Sequence, residues 1–194
     1  MNFLAHLFLS DNNQEIMLGN FFADSIRGNK YKHYPSDIQK GILLHRHIDT
    51  YTDQHEIVRK SKRRLHERYR HYDGVIIDIF YDHFLAKNWH NYSEIPLKIY
   101  INSFYQLLHK NYKILPEKTQ HMLPYLEKYN WLYNYQFMDG MKLVLEGMNQ
   151  RTQLKSHMHL AINDLKENYD EFENDFNLFF DDLINYTNHK IIEL

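Results

Sequence analysis

Four short stretches carry residue types that could do chemistry together. The first is Asn2-Phe3-Leu4-Ala5-His6-Leu7, a histidine set among apolar residues. The second is Gly19-Asn20-Phe21-Phe22-Ala23-Asp24, an acid ending an apolar helical turn. The third runs from His45-Arg46 through Asp49 to Asp53, and the fourth from Asp78 through Asp82-His83 to Leu85. On a helix, residues four apart share a face, so His45 and Asp49 project together, as do Asp78 and Asp82. Two such helices facing each other could present imidazole and carboxylates to one point, as bundle cores do for metals. Nitrogen and oxygen donors without sulfur suit manganese, iron, magnesium or zinc. Carboxylates set among Ile79, Phe80, Phe84 and Leu85 would be costly to bury unless paired or bound to a cation.

Spacing alone leaves a plainer reading beside each of these. His45 and Asp49 could be a helix-surface pair, Asp53 the N-cap of the next helix, and Asp78 a solvated residue. His6 could be a hydrogen-bonded core histidine, and Asp24 could end its helix and pair with Arg27. Fourteen histidines are present, and the other ten read as surface or partly buried polar residues.

The elements that would position these groups read as helices. Six glycines, four prolines and no run of alternating polarity leave little room for a sheet. Apolar residues recur at steps of three and four from Leu154 through Met158, Leu165, Phe172, Phe176 and Phe179 to Leu183, the buried face of one long helix. Ser36 with Gln39 reads as a capping box opening a helix to about Tyr51, and Asp53 with Glu56 as a second. Further helices are expected near 12–26, 73–88, 95–110, 117–129 and 132–148. Gly28-Asn29, Ser93 to Pro96 and Leu115-Pro116 read as connections. With 194 residues and no linker or repeat, the expectation is one all-α domain over 1–194.

Composition narrows the function classes. No cysteine is present, which excludes disulfides, thiolate-held zinc and a cysteine nucleophile, and fits a reducing compartment. No apolar stretch is long enough to span a bilayer, and the N-terminus does not look like a signal peptide. A cytoplasmic protein without membrane partners is the expectation. The net charge of −2 conceals two opposed runs. Arg59, Lys60, Lys62, Arg63, Arg64, Arg68 and Arg70 face one acid, Glu67, while eight acids between Asp164 and Asp182 face only Lys166.

Taken in order, the four stretches with Trp89, Met138-Asp139, Leu145, Gly147-Met148 and Arg151 resemble the acyl carrier protein phosphodiesterase family, a divergent branch of the HD-type metal phosphohydrolases. The resemblance implies an HD-like helical bundle that hydrolyses the phosphodiester between 4′-phosphopantetheine and a serine of holo-acyl carrier protein. It also implies a divalent metal, with Mn2+ the suggested ion. Such an ion binds phosphoryl oxygen and lowers the pKa of water bound to it. On this reading His6, His45, Asp49 and Asp82 supply most of the metal ligands, with Asp24 joining them or orienting the water. Asp53 and Asp78 are additional candidates. Arg46 or Arg27 would contact the phosphoryl group, and His83 would give a proton to the departing alkoxide. His47 falls at a variable position and receives no role.

The basic run supports the same substrate, because acyl carrier proteins are strongly acidic. Arg59, Arg63, Arg64 and Arg68 are the expected docking residues, with a solubilising helix face as the plainer reading. Nucleic acid ranks below an acidic protein, since aromatic residues are sparse in that run. Two other functions fit the same residues: an HD-like phosphohydrolase of a nucleotide or small phosphate ester, and a non-catalytic helical protein that binds an acidic partner. The sequence assigns no oligomeric state.

Overall fold

The computed structural model describes residues 1–194, and every regular element in it is helical. Eleven α-helices follow in order: α1 (Phe3–Phe8), α2 (Gln14–Phe22), α3 (Ser36–Gln54), α4 (Glu56–Tyr69), α5 (Asp73–Lys87), α6 (Leu97–Lys110), α7 (Glu117–Lys128), α8 (Trp131–Asn134), α9 (Met138–Arg151), α10 (Ala161–Glu167) and α11 (Tyr169–Glu193). Short 3-10 turns join several of them, notably Ala23–Ser25 and Gly28–His33 between α2 and α3. No helix is long and apolar enough to cross a membrane.

Helix α5 is the centre of the fold. From Ile76 to Ala86 only Asp78 escapes burial, so apolar residues surround the axis on all sides. A helix hydrophobic all round must be enclosed by others, and α1, α4, α9 and α11 enclose this one. Helix α11 closes the core with an aromatic stripe at the expected spacing. Phe172, Phe176, Phe179, Phe180 and Leu183 are fully buried, with Phe172 edge-on to Phe80 and Phe176 edge-on to Tyr81.

The long C-terminal helix expected from Leu154 onward is instead a turn, a short helix and a long one. Gln153, Leu154 and His157 take left-handed backbone angles, which no helix tolerates. Ser156 ties the turn together through Asn149 and Thr152, leaving Leu154 half exposed. The helix expected over 132–148 is likewise two. Tyr135 turns inward and is buried, and α9 restarts at Met138.

Neither expected capping box forms. Pro35 holds the cap position ahead of Ser36, and Gln39 donates to the carbonyls of Tyr34 and Lys32. Asp53 lies inside the last turn of α3 rather than capping α4. That cap is His55, whose Nδ1 accepts from the Ile57 N–H.

The two opposed charge runs partly neutralise each other across the fold. Asp175 on α11 is fully buried and accepts from Lys60 Nζ at 2.9 Å, Ser61 Oγ at 2.8 Å and the Arg64 guanidinium. Ser61 accepts in turn from the Tyr81 hydroxyl at 3.0 Å, which ties α4, α5 and α11 at one point. Arg68 makes two bonds to Asp164, at 2.8 and 3.0 Å.

Burial alone would raise the Asp175 pKa, but the bonds from Lys60, Arg64 and Ser61 outweigh it and hold the carboxyl below its usual range. A depressed folded pKa contributes stability above the unfolded value of about 3.9, and loses it as pH falls through the folded value. Asp175→Asn is therefore expected to cost about 3 kcal/mol at neutral pH. Its stability should also fall less steeply than that of the wild type as the solution is acidified below about pH 4. Denaturant titrations across that range check both effects.

Candidate active site

The site is built where α2 crosses α3. Gly19 and Gly41 let the two backbones meet: a Cβ on Gly19 would lie 2.2 Å from the Ile38 carbonyl oxygen, and one on Gly41 2.2 Å from that of Ile16. Glycine weakens a helix interior, and here the close approach is what it permits. One residue beyond Gly19 and four beyond Gly41, the main-chain oxygen of Asn20 sits 2.8 Å from His45 Nδ1.

Helix α1 brings the second imidazole. Its N-terminus rests on the buried Asp82 of α5, whose carboxylate accepts from the Leu4 N–H at 2.7 Å and the Ala5 N–H at 3.1 Å. A carboxylate is favoured at a helix N-terminus, yet burial still pushes the Asp82 pKa up to about 7 against the pull of those N–H groups. From α1 the His6 ring stacks on His45, centroids 4.0 Å apart and planes within 18°. His6 Nδ1 meets Asn20 Oδ1 at 2.8 Å.

Both Nε2 atoms then converge on one carboxylate. Asp49 Oδ1 lies 3.3 Å from His6 Nε2, and Asp49 Oδ2 lies 3.2 Å from His45 Nε2. Asp24 Oδ1, from the turn after α2, adds a second acceptor 3.3 Å from His45 Nε2. The imidazoles are nearly inaccessible, whereas the Asp49 and Asp24 side chains are 43% and 69% exposed. The cluster is thus a buried nitrogen floor beneath a solvent-facing carboxylate rim. Asp78 stands beside it, 3.1 Å from the Met1 amino nitrogen, which also lies 3.7 Å from Asp49.

The electrostatics separate the two histidines. Burial, with the neighbouring His45, lowers the His6 pKa to about 4, although Asp49 pulls it up. Burial lowers His45 as well, but Asp24 and Asp49 overcome it and raise that ring to about 9. Asp24 is held below the usual carboxylate range by its bond to His45. Burial would raise Asp49, and the two imidazoles hold it well below that range instead. His6 Nε2 lies between two acceptors, Asp49 Oδ1 at 3.3 Å and the Met1 carbonyl oxygen at 3.1 Å.

His6, His45 and Asp49 each offer one ligand atom, all within 4.8 Å of one another. Two imidazoles, carboxylates and no sulfur fit a divalent cation, with the open rim leaving room for water and substrate.

The remaining expected residues stand elsewhere. Asp82 supports α1 from behind, and both its oxygens are taken by main-chain N–H groups, so it is one step removed from the cluster. His83 is buried with Nδ1 on the Tyr135 carbonyl and Nε2 on the Tyr169 hydroxyl, and cannot deliver a proton at the rim. Arg46 donates to the carbonyls of Ile26 and Gly28 and stacks over Tyr31, bracing the turn that carries Asp24. Arg27 is exposed. Asp53, one turn of α3 beyond Asp49, pairs with Lys62 at 3.0 Å. Of the four arginines expected at a docking face, Arg64 and Arg68 are engaged with Asp175 and Asp164. Arg59 and Arg63 remain exposed and line an open cleft of about 350 Å³ with Asp53, Lys62, His66 and Asp73.

Asn20 is the site residue that sequence reasoning passed over. It stands in one of the four stretches that carry the family resemblance, beside a glycine in the interior of a helical segment, but was given no role there.

Fold and site together define an all-α protein with a buried pair of imidazoles whose donor set suits a divalent cation. The family model for acyl carrier protein phosphodiesterase matches residues 1–183. A relative from Photorhabdus laumondii, named acyl carrier protein phosphodiesterase, is 33% identical over 174 residues, covering 89% of this chain and 88% of its own. One of the same name from Salmonella agona is 33% identical over 181 residues, covering 93% and 94%. No solved structure matches this chain. The chain belongs to the acyl carrier protein phosphodiesterase family.

If Asp82 holds α1 in place rather than a cation, Asp82→Ala leaves two buried N–H groups without an acceptor. Thermal or denaturant unfolding without added metal should then show a loss of about 2 kcal/mol or more. Unchanged stability would contradict the supporting role.

Proposed function

We propose that this protein is a metal-dependent phosphodiesterase that hydrolyses the bond between 4′-phosphopantetheine and a serine of holo-acyl carrier protein, releasing apo-carrier protein and 4′-phosphopantetheine. The observation that carries the reading is the convergence of His6 and His45 Nε2 on Asp49 beneath an exposed rim. Family membership supplies the substrate.

His6, His45 and Asp49 hold the cation, with Asp24 at the rim beside it, and Mn2+ is the ion we assign. A bound divalent ion neutralises phosphoryl charge and acidifies water. The chain's own residues supply the rest. Asp24, ionised and exposed, accepts a hydrogen bond from the attacking water and orients it toward phosphorus. Arg27, three residues along the chain from Asp24, contacts the phosphoryl oxygens, because the Arg46 guanidinium is bonded to backbone carbonyls. Water adds across the P–O bond: its oxygen joins phosphorus and its proton ends on the serine oxygen.

The acidic carrier docks through Arg59 and Arg63. Asp49 and Asp53 lie one turn apart on α3, so the cleft that these arginines line adjoins the cluster. The reaction belongs in the cytoplasm, a reducing compartment suited to a chain without cysteine.

Intact-mass spectrometry of holo-carrier protein incubated with the enzyme and Mn2+ should show loss of the phosphopantetheine mass. Chelator, His45→Ala or Asp49→Ala should prevent it. An unchanged carrier mass with the Mn2+-loaded wild type would refute the assignment.

Replacing Arg59 and Arg63 by Glu should raise KM for the carrier about tenfold or more, with kcat nearly unchanged and the salt dependence weakened. Arg68→Ala should instead lower thermal stability and leave KM alone. A KM insensitive to the double replacement would remove the docking face.

A further inference from the structure

We propose that the turn following Asp24 is a second docking surface for the acidic partner, with Lys30 and Lys32 as its contact residues. The carrier is then held on both flanks of the rim. This surface rests on the carrier reading above and adds to the one that Arg59 and Arg63 provide.

Free positive charge sets the turn apart. No acid occurs between Asp24 and Asp37, a stretch that holds Arg27, Lys30 and Lys32. All three are exposed, and none pairs with a carboxylate. Helix α4 is richer in cations, yet its Lys60, Lys62, Arg64 and Arg68 are committed to Asp175, Asp53 and Asp164. A partner that engages the turn therefore breaks no internal ion pair.

The turn is also held in shape. Arg46 Nη2 donates to the carbonyl oxygens of Ile26 at 3.1 Å and Gly28 at 2.9 Å, and its guanidinium lies 5.2 Å from the centre of the Tyr31 ring. Tyr34 packs on Phe22, centroids 5.3 Å apart, and its carbonyl oxygen accepts from Gln39 at 2.7 Å. The lysines thus project from a fixed backbone, which lowers the ordering cost of docking.

Placement ties the surface to the site. Asp24 opens the turn 3.3 Å from His45 Nε2, and Asp49 meets the same nitrogen at 3.2 Å. Asp53 shares the helix face of Asp49 and lines the arginine cleft. The turn meets α3 at Arg46 and the cleft meets it at Asp53, about 10 Å further along the axis. The acidic rim therefore has cations on both flanks. A protein surface with carboxylates spread over two or three helical turns spans that distance, and a single small anion does not. Basic residues alternating with tyrosines also suit single-stranded nucleic acid, whose bases stack on aromatic rings. Here Arg46 covers a face of Tyr31, Phe22 packs on Tyr34, and both tyrosines are half-buried, which favours the acidic protein.

Calorimetry with purified apo-acyl carrier protein, which lacks the group to be hydrolysed, reads the protein surface alone. Lys30→Glu with Lys32→Glu should weaken binding about tenfold or more and flatten its salt dependence. Lys110→Glu with Lys113→Glu makes the same charge change on exposed residues at the end of α6, and should weaken it by about twofold at most. Equal affinities for the wild type and the Lys30/Lys32 variant would overturn the proposal and leave the carrier reading standing. Equal losses in the two charge variants would also overturn it, by reducing the effect to net charge. A wild type that binds no carrier would defeat the carrier reading and this surface together. Tighter binding of a single-stranded oligonucleotide than of carrier would overturn the proposal in favour of nucleic acid. Carbodiimide coupling of the wild type to the carrier needs no variant. Amide bonds to carrier carboxylates are expected at Lys30 or Lys32, and coupling confined to other lysines would overturn the proposal.

Discussion

At Gly19 and Gly41 two helices touch backbone to backbone, and the reactive end of the molecule depends on that contact. A side chain at either position would drive α2 away from α3, because its Cβ would overlap a carbonyl oxygen. The contact sets Asn20 against His45, and Asn20 in turn sets His6 against Ser10 and against the neighbouring ring. Helix α1, only six residues long, needs further support and receives it from the buried Asp82 at its N-terminus. Two glycines, one amide and one buried carboxylate thus place two imidazoles to within hydrogen-bond tolerances before any ligand arrives. Preorganisation of this kind removes an ordering cost that binding would otherwise carry.

Burial and exposure divide the labour of the cluster. The imidazoles lie where the dielectric is low, so their charge states respond strongly to the carboxylates beside them. Asp24 and Asp49 remain open to water and can stay ionised while meeting a substrate. A phosphodiester carries its own negative charge, and a carboxylate rim alone would repel it. On the proposed reading, a cation held by the donor set would resolve that conflict, and Arg59 and Arg63 would add a second attraction at a distance. Helix α4 serves two purposes: Lys60, Arg64 and Arg68 hold α10 and α11 in place, while Arg59 and Arg63 face solvent.

Much of this was legible in the residues. Helical periodicity gave the all-α class and placed α3, α6 and α7 to within a few residues, because those helices have one buried face and a proline at their start, while α5 showed as a continuous apolar run after Gly74. The His45–Asp49 pair was visible as a four-residue step, and His6 as a histidine among apolar neighbours. The role of Asp82 was not, since its partners are backbone N–H groups 77 and 78 residues away. Asn20 was hidden for the same reason, acting through one side-chain and one main-chain oxygen on residues 14 and 25 positions distant. The break before α10 escaped because left-handed angles at Gln153, Leu154 and His157 carry no glycine to announce them. The pairing of α4 with α10 and α11 was written in opposite charge runs, but charge alone does not reveal which elements meet.

The cation site proposed at His6, His45 and Asp49, with Asp24 at its rim, is open to direct observation. Its most direct test is a crystal structure of the protein grown with Mn2+, with data collected for manganese anomalous scattering. A strong peak is expected within bonding distance of both Nε2 atoms and the Asp49 carboxylate, lost in His45→Ala crystals. An empty cluster, or a peak bound elsewhere in the molecule with the imidazoles uninvolved, would contradict it.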